Sequence, residues 1–153
     1  MMSMNEQGER LAIKWLAARA LSENEVEARL LTSGFSSDEA KRVVAAVRDR
    51  GFVNDMELGR MLFRKYQRMG RYGVNAIRDR LRKRGLSEPV IAAVFCEFDG
   101  FDEYERAVAL LRQRFPIVTA ENRGKAGRFL AYRGFTTGTV LKVMEYLSNV
   151  GDY

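Results

Sequence analysis

The sequence contains no histidine. That removes the commonest general base, the commonest metal ligand and every triad built on imidazole. It contains one cysteine, Cys96, so no disulfide can form within the chain and finger-type zinc sites are ruled out. Cys96 sits in the apolar run Val94-Phe95-Cys96, which reads as a buried structural thiol. There are only two prolines and no alternating polar–apolar run of useful length, so strands have little support. No apolar run approaches the roughly 20 residues needed to cross a bilayer. The opening MMSMNEQGER lacks the apolar centre of a secretion signal, and the expected location is the cytoplasm. Neither a Walker-type phosphate loop nor a G-x-G-x-x-G after a strand is found. The acids Glu23, Glu25, Glu27, Asp102, Glu103 and Glu105 stand near expected helix starts, where they favour the helix dipole. No cofactor and no metal are expected, and the chain does not read as an enzyme.

What is present is an uneven charge. From Asn54 to Gly85 there are 10 Lys or Arg against 3 acids, a local net of +7, while the whole chain of 153 residues carries +6. The remainder therefore nets −1, and the positive charge is concentrated in the middle third. Hydrophobic residues at 46% and charged residues at 30% describe a folded globular protein rather than a disordered one. A clustered basic charge asks for an acidic partner, nucleic acid first and an acidic protein surface second.

Along the chain the periodicity is helical. Glu9 to Leu21 forms a first helix with Leu11, Trp15 and Ala18 near helical spacing. Ser22 with Glu25 makes a capping box for a second helix carrying Val26, Leu30 and Leu31. Gly34 is a left-handed C-cap, Phe35 plugs the turn, and Ser36 with Glu39 caps a third helix ending near Arg50 at Gly51. Asn54 or Asp55 caps the next helix, whose stripe is Leu58, Met61, Leu62, Tyr66 and Met69. Gly70 and Gly73 bracket a turn before Val74, Ile77 and Leu81. Leu86 plugs, Ser87 caps, and Pro89 falls in the first turn of a helix reaching Phe98. After Asp99-Gly100-Phe101-Asp102 come a helix through Ala107, Leu110 and Leu111, a short one from Lys125 to Arg133, and a last one from Val140 to Leu147. Trp15, Phe35, Phe129 and Phe135 are expected in the core.

One turn occurs three times: Ser33-Gly34-Phe35-Ser36, Arg84-Gly85-Leu86-Ser87 and Arg133-Gly134-Phe135-Thr136. The glycines are 85 − 34 = 51 and 134 − 85 = 49 residues apart. A period near 50 points to stacked supersecondary units that share flanks with their neighbours. The expected fold is all-α, three tandem three-helix repeats of helix-turn-helix type, at 9–51, 52–99 and 100–150, in an elongated, curved array.

These features together resemble the RecX family, bacterial regulators of the RecA recombinase. The carrying residues are Leu21 to Val26 with Leu30 and Gly34-Phe35, then Gly51-Phe52-Val53-Asn54-Asp55, then Gly73-Val74 to Leu81 with Lys83 to Ser87, and Phe129 to Thr136. The likeness covers about Glu9 to Leu147. The first repeat departs from it, with Thr32-Ser33 where the others place a basic residue before glycine. The segment before the first helix is short, so no function of a longer leader is expected. The resemblance implies a monomer with RecA and the RecA–DNA filament as partners. It implies a molecule lying in the filament groove, limiting filament growth, ATP hydrolysis, strand exchange and co-protease activity.

The charge pattern suggests which residues would touch such a partner. At about 100° per residue, Arg60, Arg64, Arg68 and Arg71 fall within an arc of about 80° on one helix. Lys65 lies inside the apolar arc and snorkels outward. Arg78 and Arg82 share one flank of the following helix, with Lys83 beside them. Arg128 and Arg133 are secondary candidates in the third repeat, and Tyr72 is placed to stack on an unpaired base. Like charges at i, i+4 each cost a helix a few tenths of a kcal/mol, about 0.2–0.5, and phosphates would reverse that sign. Binding to single- and double-stranded DNA should be indifferent to sequence and weaken steeply with salt. The alternatives are a helix-turn-helix transcription regulator, which would expose Arg, Asn or Gln on a recognition helix, and a protein scaffold without DNA affinity.

Overall fold

A computed structural model describes residues 1–98 and 102–150. Among them are nine helices and no strand: α1 Met4–Ala18, α2 Glu23–Thr32, α3 Ser37–Asp49, α4 Asp55–Met69, α5 Val74–Lys83, α6 Glu88–Glu97, α7 Glu103–Arg114, α8 Arg123–Tyr132 and α9 Thr137–Val150. The fold is all-α, as the periodicity predicts. None of these helices is long and apolar enough to span a membrane. The expected link Asp99-Gly100-Phe101 lies outside the described residues. Three starts differ from the sequence reading, the last helix beginning at Thr137 rather than Val140. The first helix begins at Met4, five residues early, because Ser3 accepts the Glu6 N–H at 3.2 Å while Glu6 accepts the Ser3 N–H at 3.3 Å. That capping box precedes any apolar residue of the stripe, so hydrophobic spacing does not reveal it. The eighth helix starts at Arg123, two residues before the expected Lys125.

The recurrent turn has the same geometry at each occurrence. The amides of Phe35, Leu86 and Phe135 reach back to the carbonyls of Leu30, Leu81 and Leu130 at 3.1, 3.3 and 3.2 Å. The glycine before each, with φ of +99°, +84° and +87°, bonds to Leu31, Arg82 and Ala131. This is the paired 6→1 and 5→2 closure of a Schellman motif, and the left-handed residue it needs is glycine. The next residue caps the following helix: Ser36 accepts from Glu39, Ser87 from Val90 and Thr136 from Thr139.

The chain packs as two compact units. The first holds Met1–Leu62 and Leu81–Glu97. Its core contains Ala12, Leu21, Val26, Leu30, Val43 and Val47, with Ile13, Trp15, Leu16 and Phe35 against it. The second holds Phe63–Arg80 and Phe98–Tyr153, with Ala107, Leu111, Ala126, Leu130, Phe135 and Val143 at its centre. Helices α4 and α5 each contribute residues to both units. Of the four aromatic residues expected in the core, Phe135 is fully buried. Trp15, Phe35 and Phe129 are half-buried and pack on its edges.

Corresponding contacts recur in the two units. In the first, Asp55 accepts the Glu23 N–H at 2.9 Å and the Asn24 side chain donates to the Gly85 carbonyl at 2.7 Å. In the second, Glu103 accepts the Val74 N–H at 2.7 Å and the Asn75 N–H donates to the Gly134 carbonyl at 2.9 Å. The offsets are 74 − 23 = 51, 75 − 24 = 51, 103 − 55 = 48 and 134 − 85 = 49. In each case the first acid of one helix caps the start of a helix about 30 residues earlier (55 − 23 = 32, 103 − 74 = 29). The packing inside the triplets matches too. A Cβ at Gly8 would meet Val43 at 2.6 Å, and one at Gly59 would meet Val94 at 2.8 Å, again 51 residues on.

Cys96 corrects a sequence expectation: its side chain is exposed. Ile91 and Val94 fill the buried stripe of α6. Cys96, two residues past Val94, is rotated about 200° away from it. A maleimide is expected to label the native protein at a rate close to that of the denatured chain. Strong native protection in a thiol-labelling time course would return Cys96 to the core.

Candidate functional site

Helix α4 is set by Asn54, whose side chain accepts the Glu57 N–H at 3.1 Å. Its buried face is Leu58, Gly59, Leu62 and Phe63. Met61 and Met69, expected in the apolar stripe, are exposed, and Phe63 takes their place inside, stacked on Phe98 at 4.2 Å. The inward face is therefore rotated toward Phe63, and a large aromatic ring with a flat neighbour buries more apolar surface than a flexible methionine.

The opposite face carries the cations, and the structure sorts them. Arg60 is engaged with Glu97 through Nε at 2.6 Å and Nη2 at 2.8 Å, a hydrogen-bonded pair that raises the Arg60 pKa. Arg64 is exposed, 5.6 Å above the Phe98 ring. Lys65 turns outward as expected, with its ammonium 5.8 Å from the Tyr66 ring. Arg68 and Arg71 are exposed. On α5, Arg78 is half-buried, Arg82 is paired with Glu88, and Lys83 is exposed. Arg128 is exposed on α8, while Arg133 is half-buried, 5.5 Å over Phe129.

Internal carboxylates therefore relieve part of the helix repulsion expected from the sequence. Arg84 makes this plainest. Its guanidinium donates to both oxygens of Glu25 at 3.0 and 3.1 Å and to the Ala20 carbonyl at 2.9 Å. Burial raises the Glu25 pKa, but the hydrogen bonds from Arg84 and Ser22 outweigh it and hold the carboxyl below its ordinary value. Arg84 thus ties α5 to the start of α2. The cations of this stretch left facing solvent without an ion pair among the described residues are Arg64, Lys65 and Arg68 on α4 and Arg71 two residues past its end.

Tyr72 is not a free-standing ring. It meets Tyr66 edge to face at 5.7 Å, and the Arg80 guanidinium lies 4.0 Å over it. Arg80, absent from the residues chosen by charge pattern, also sits 5.6 Å from Tyr66, and its buried Nε has no hydrogen-bond partner among the described residues. It is held by the two rings, a cation–π arrangement that spacing along α5 does not reveal.

Sequence reasoning also missed a cleft in the second unit. It measures about 860 Å³, with Arg71 and Arg133 joined by Arg106 and Arg114 from α7. The signal that could have found it is the i, i+8 pair Arg106 and Arg114 on a helix whose other face is apolar. No group of three or more His, Cys, Asp or Glu is placed to hold a metal among the described residues.

No family model matches the chain. It is 31% identical over 139 residues to the regulatory protein RecX of Stenotrophomonas maltophilia (strain R551-3), covering 88% of this chain and 83% of that protein. It is 33% identical over 126 residues to the regulatory protein RecX of Deinococcus radiodurans, covering 81% of this chain. The chain spans 60% of the length of that second curated relative. Among solved structures, RecX from Lactobacillus salivarius superposes with a TM-score of 0.83 at 19% identity, over 95% of this chain and 97% of that one, which shows the same fold. On this identity and coverage, the chain belongs to the RecX family of regulatory proteins.

Proposed function

We propose that the chain is a negative regulator of RecA. It binds the RecA–DNA filament in the cytoplasm as a monomer and limits filament growth, ATP hydrolysis, strand exchange and co-protease activity. It does so by binding alone, without catalysis or a cofactor. The observation that carries the reading is the row Arg64, Lys65, Arg68 and Arg71, four solvent-facing cations with no carboxylate partner among the described residues, on and just past the helix that begins the central repeat. Such a row gains from a phosphate backbone or an acidic groove and reads no bases. Arg78, Lys83, Arg128 and Arg133 extend the candidate surface, whereas Arg60 and Arg82 are engaged with Glu97 and Glu88 and contribute less. The repeats at 9–51, 52–99 and 100–150 supply the scaffold, and the matching contacts at offsets near 50 support that division. A helix-turn-helix transcription regulator fits less well, because α6 exposes Glu88, Pro89, Ala92, Cys96 and Glu97 and offers no Arg, Asn or Gln toward base edges.

The test is RecA's DNA-dependent ATPase. Added protein is expected to slow it. The double reversal Arg64→Glu/Arg68→Glu is expected to weaken that inhibition at least about tenfold, since several charge-assisted contacts change sign, while the thermal midpoint stays near that of the parent. An unchanged ATPase at several-fold molar excess would sink the reading. Full inhibition by a folded double variant would move the contact off this helix.

A further inference from the structure

The cleft of the second unit has a chemistry that the cation row does not need. Four guanidinium groups, those of Arg71, Arg106, Arg114 and Arg133, border it against two carboxylates, Asp102 and Glu105, leaving an excess of two positive charges. Its volume of about 860 Å³ is large for a simple ion and lies in the range of small-molecule sites, roughly 300–1,000 Å³. Its apolar lining comes from Met69, Leu110 and Phe129. Met69 is 41% exposed, an apolar surface that a pure phosphate track would not require.

One of the arginines is held in place. Arg133 lies 5.5 Å over Phe129, and its own carbonyl accepts the Gly73 N–H at 2.9 Å, so its backbone is pinned beside the cleft. Its flat guanidinium offers a stacking face, as arginine does for unstacked bases. Arg106 is half-buried, and burial pushes its pKa down against the favourable charge of Glu103. A guanidinium in a partly desolvated place gains more from an anion than one in water does. The Glu103 carboxylate, meanwhile, already accepts two backbone N–H and two hydroxyl groups.

We propose that this cleft binds a single nucleotide: the phosphates lie on Arg71, Arg106 and Arg114, and the base lies against Arg133 and the Met69–Leu110 lining. Asp102 and Glu105 disfavour bare inorganic anions and offer acceptors to ribose hydroxyls or base amino groups. The nucleotide is either a free nucleoside phosphate or one unstacked residue of a DNA strand, and the chemistry of recognition is shared. The cleft shares Arg71 and Arg133 with the proposed filament surface but uses none of Arg64, Lys65 and Arg68.

Fluorescence anisotropy with a labelled adenosine triphosphate tests it on the full chain at about 0.15 M salt, where long-range attraction is screened. Saturable binding is expected. Arg114→Glu, at an exposed position, and Arg133→Ala, at a half-buried one, should each weaken it at least about tenfold, the loss of one charge-assisted contact or more. Arg64→Glu/Arg68→Glu should change it less than about twofold, because exposed charges outside the cleft are screened. Unlabelled ATP should displace the probe, and inorganic phosphate should not. Displacement by a short oligothymidine identifies a strand nucleotide as the source, and its failure identifies the free nucleotide; either supports the site. Lack of saturable binding, equal displacement by phosphate, or parent-like affinity in both folded cleft variants overturns it. A row variant that loses ATPase inhibition yet keeps nucleotide affinity separates this inference from the proposed function.

Discussion

Replacing Glu103 with alanine is expected to destabilise the second unit by about 3–5 kcal/mol. The side chain is 5% exposed. Its Oε2 accepts the Val74 N–H at 2.7 Å, and its Oε1 accepts the Thr136 N–H at 2.9 Å and the hydroxyls of Thr136 and Thr139 at 2.7 and 2.6 Å. Hydrogen bonds to a charged acceptor contribute about 1.5–3 kcal/mol each, and a donor left buried without a partner adds its desolvation cost. One carboxylate therefore secures the start of α5, the turn before α9 and the first turn of α9 together. Glu103→Gln keeps the shape but sets an amide N–H against a donor, so it should recover only part of the loss. Amide exchange at Val74 and Thr136 checks the result, with Trp15 fluorescence as the control for the first unit. Parent-like exchange in Glu103→Ala would reduce the network to ornament.

The pH dependence follows from the same site. Burial raises the Glu103 pKa, but the hydrogen bonds from Thr139, Val74 and Thr136 outweigh it and the folded value is lowered. A depressed carboxylate contributes stability that is present above its unfolded pKa and is lost as pH falls through the folded value. Asp55, its counterpart in the first unit, shifts the other way. Burial raises its pKa, the charges of Glu23 and Glu25 add to the rise, and the Glu23 N–H bond only partly opposes it. Its contribution is present below its unfolded pKa and is lost as pH rises through the folded value. On acidification the second unit should therefore weaken through this site while the first does not weaken through Asp55, and Glu103→Ala should flatten that difference.

Gly134→Ala is expected to cost about 3–5 kcal/mol, against about 1–2 for Gly34→Ala. The two glycines occupy the same turn, with φ of +87° and +99°, so both substitutions carry the left-handed penalty of an L side chain. Their surroundings differ. A Cβ at Gly34 meets nothing within 4 Å. One at Gly134 collides with the Cβ of Ala76 and comes within 2.5 Å of its backbone nitrogen. Relief would require the turn to move away from α5, and that movement breaks the bonds from Gly73 to Arg133 and from Asn75 to Gly134. Paired urea melts give the comparison directly. Equal losses at the two positions would mean that the turn's conformation, and not its neighbour, dominates.

Local chemistry was legible without coordinates. The Ser22–Glu25 box, the glycine stops at 34, 85 and 134, the apolar plugs and the hydroxyl caps each depend on residues within about five positions of one another, so reading along the chain finds them. The near-50 spacing of the turns was equally visible. Arg64 and Arg68 face solvent on α4, a direction that helical rotation alone sets, whereas Arg71, expected on the same helix, lies past its end at Met69.

What neighbours in sequence could not show was which charges are already engaged. Arg84 and Glu25 are 59 residues apart, and Arg60 and Glu97 are 37 apart. Such pairs depend on how helices pack. Glu103 read as an ordinary acid at a helix start, and Cys96 as part of an apolar run. Tertiary packing made the first a buried four-donor acceptor and turned the second outward. The sequence by itself determined the helices, their caps and the threefold turn, because backbone hydrogen bonding and side-chain period are local. Only the tertiary structure decided which cations remain available and where a cleft opens, because desolvation and ion pairing depend on groups brought together from distant parts of the chain.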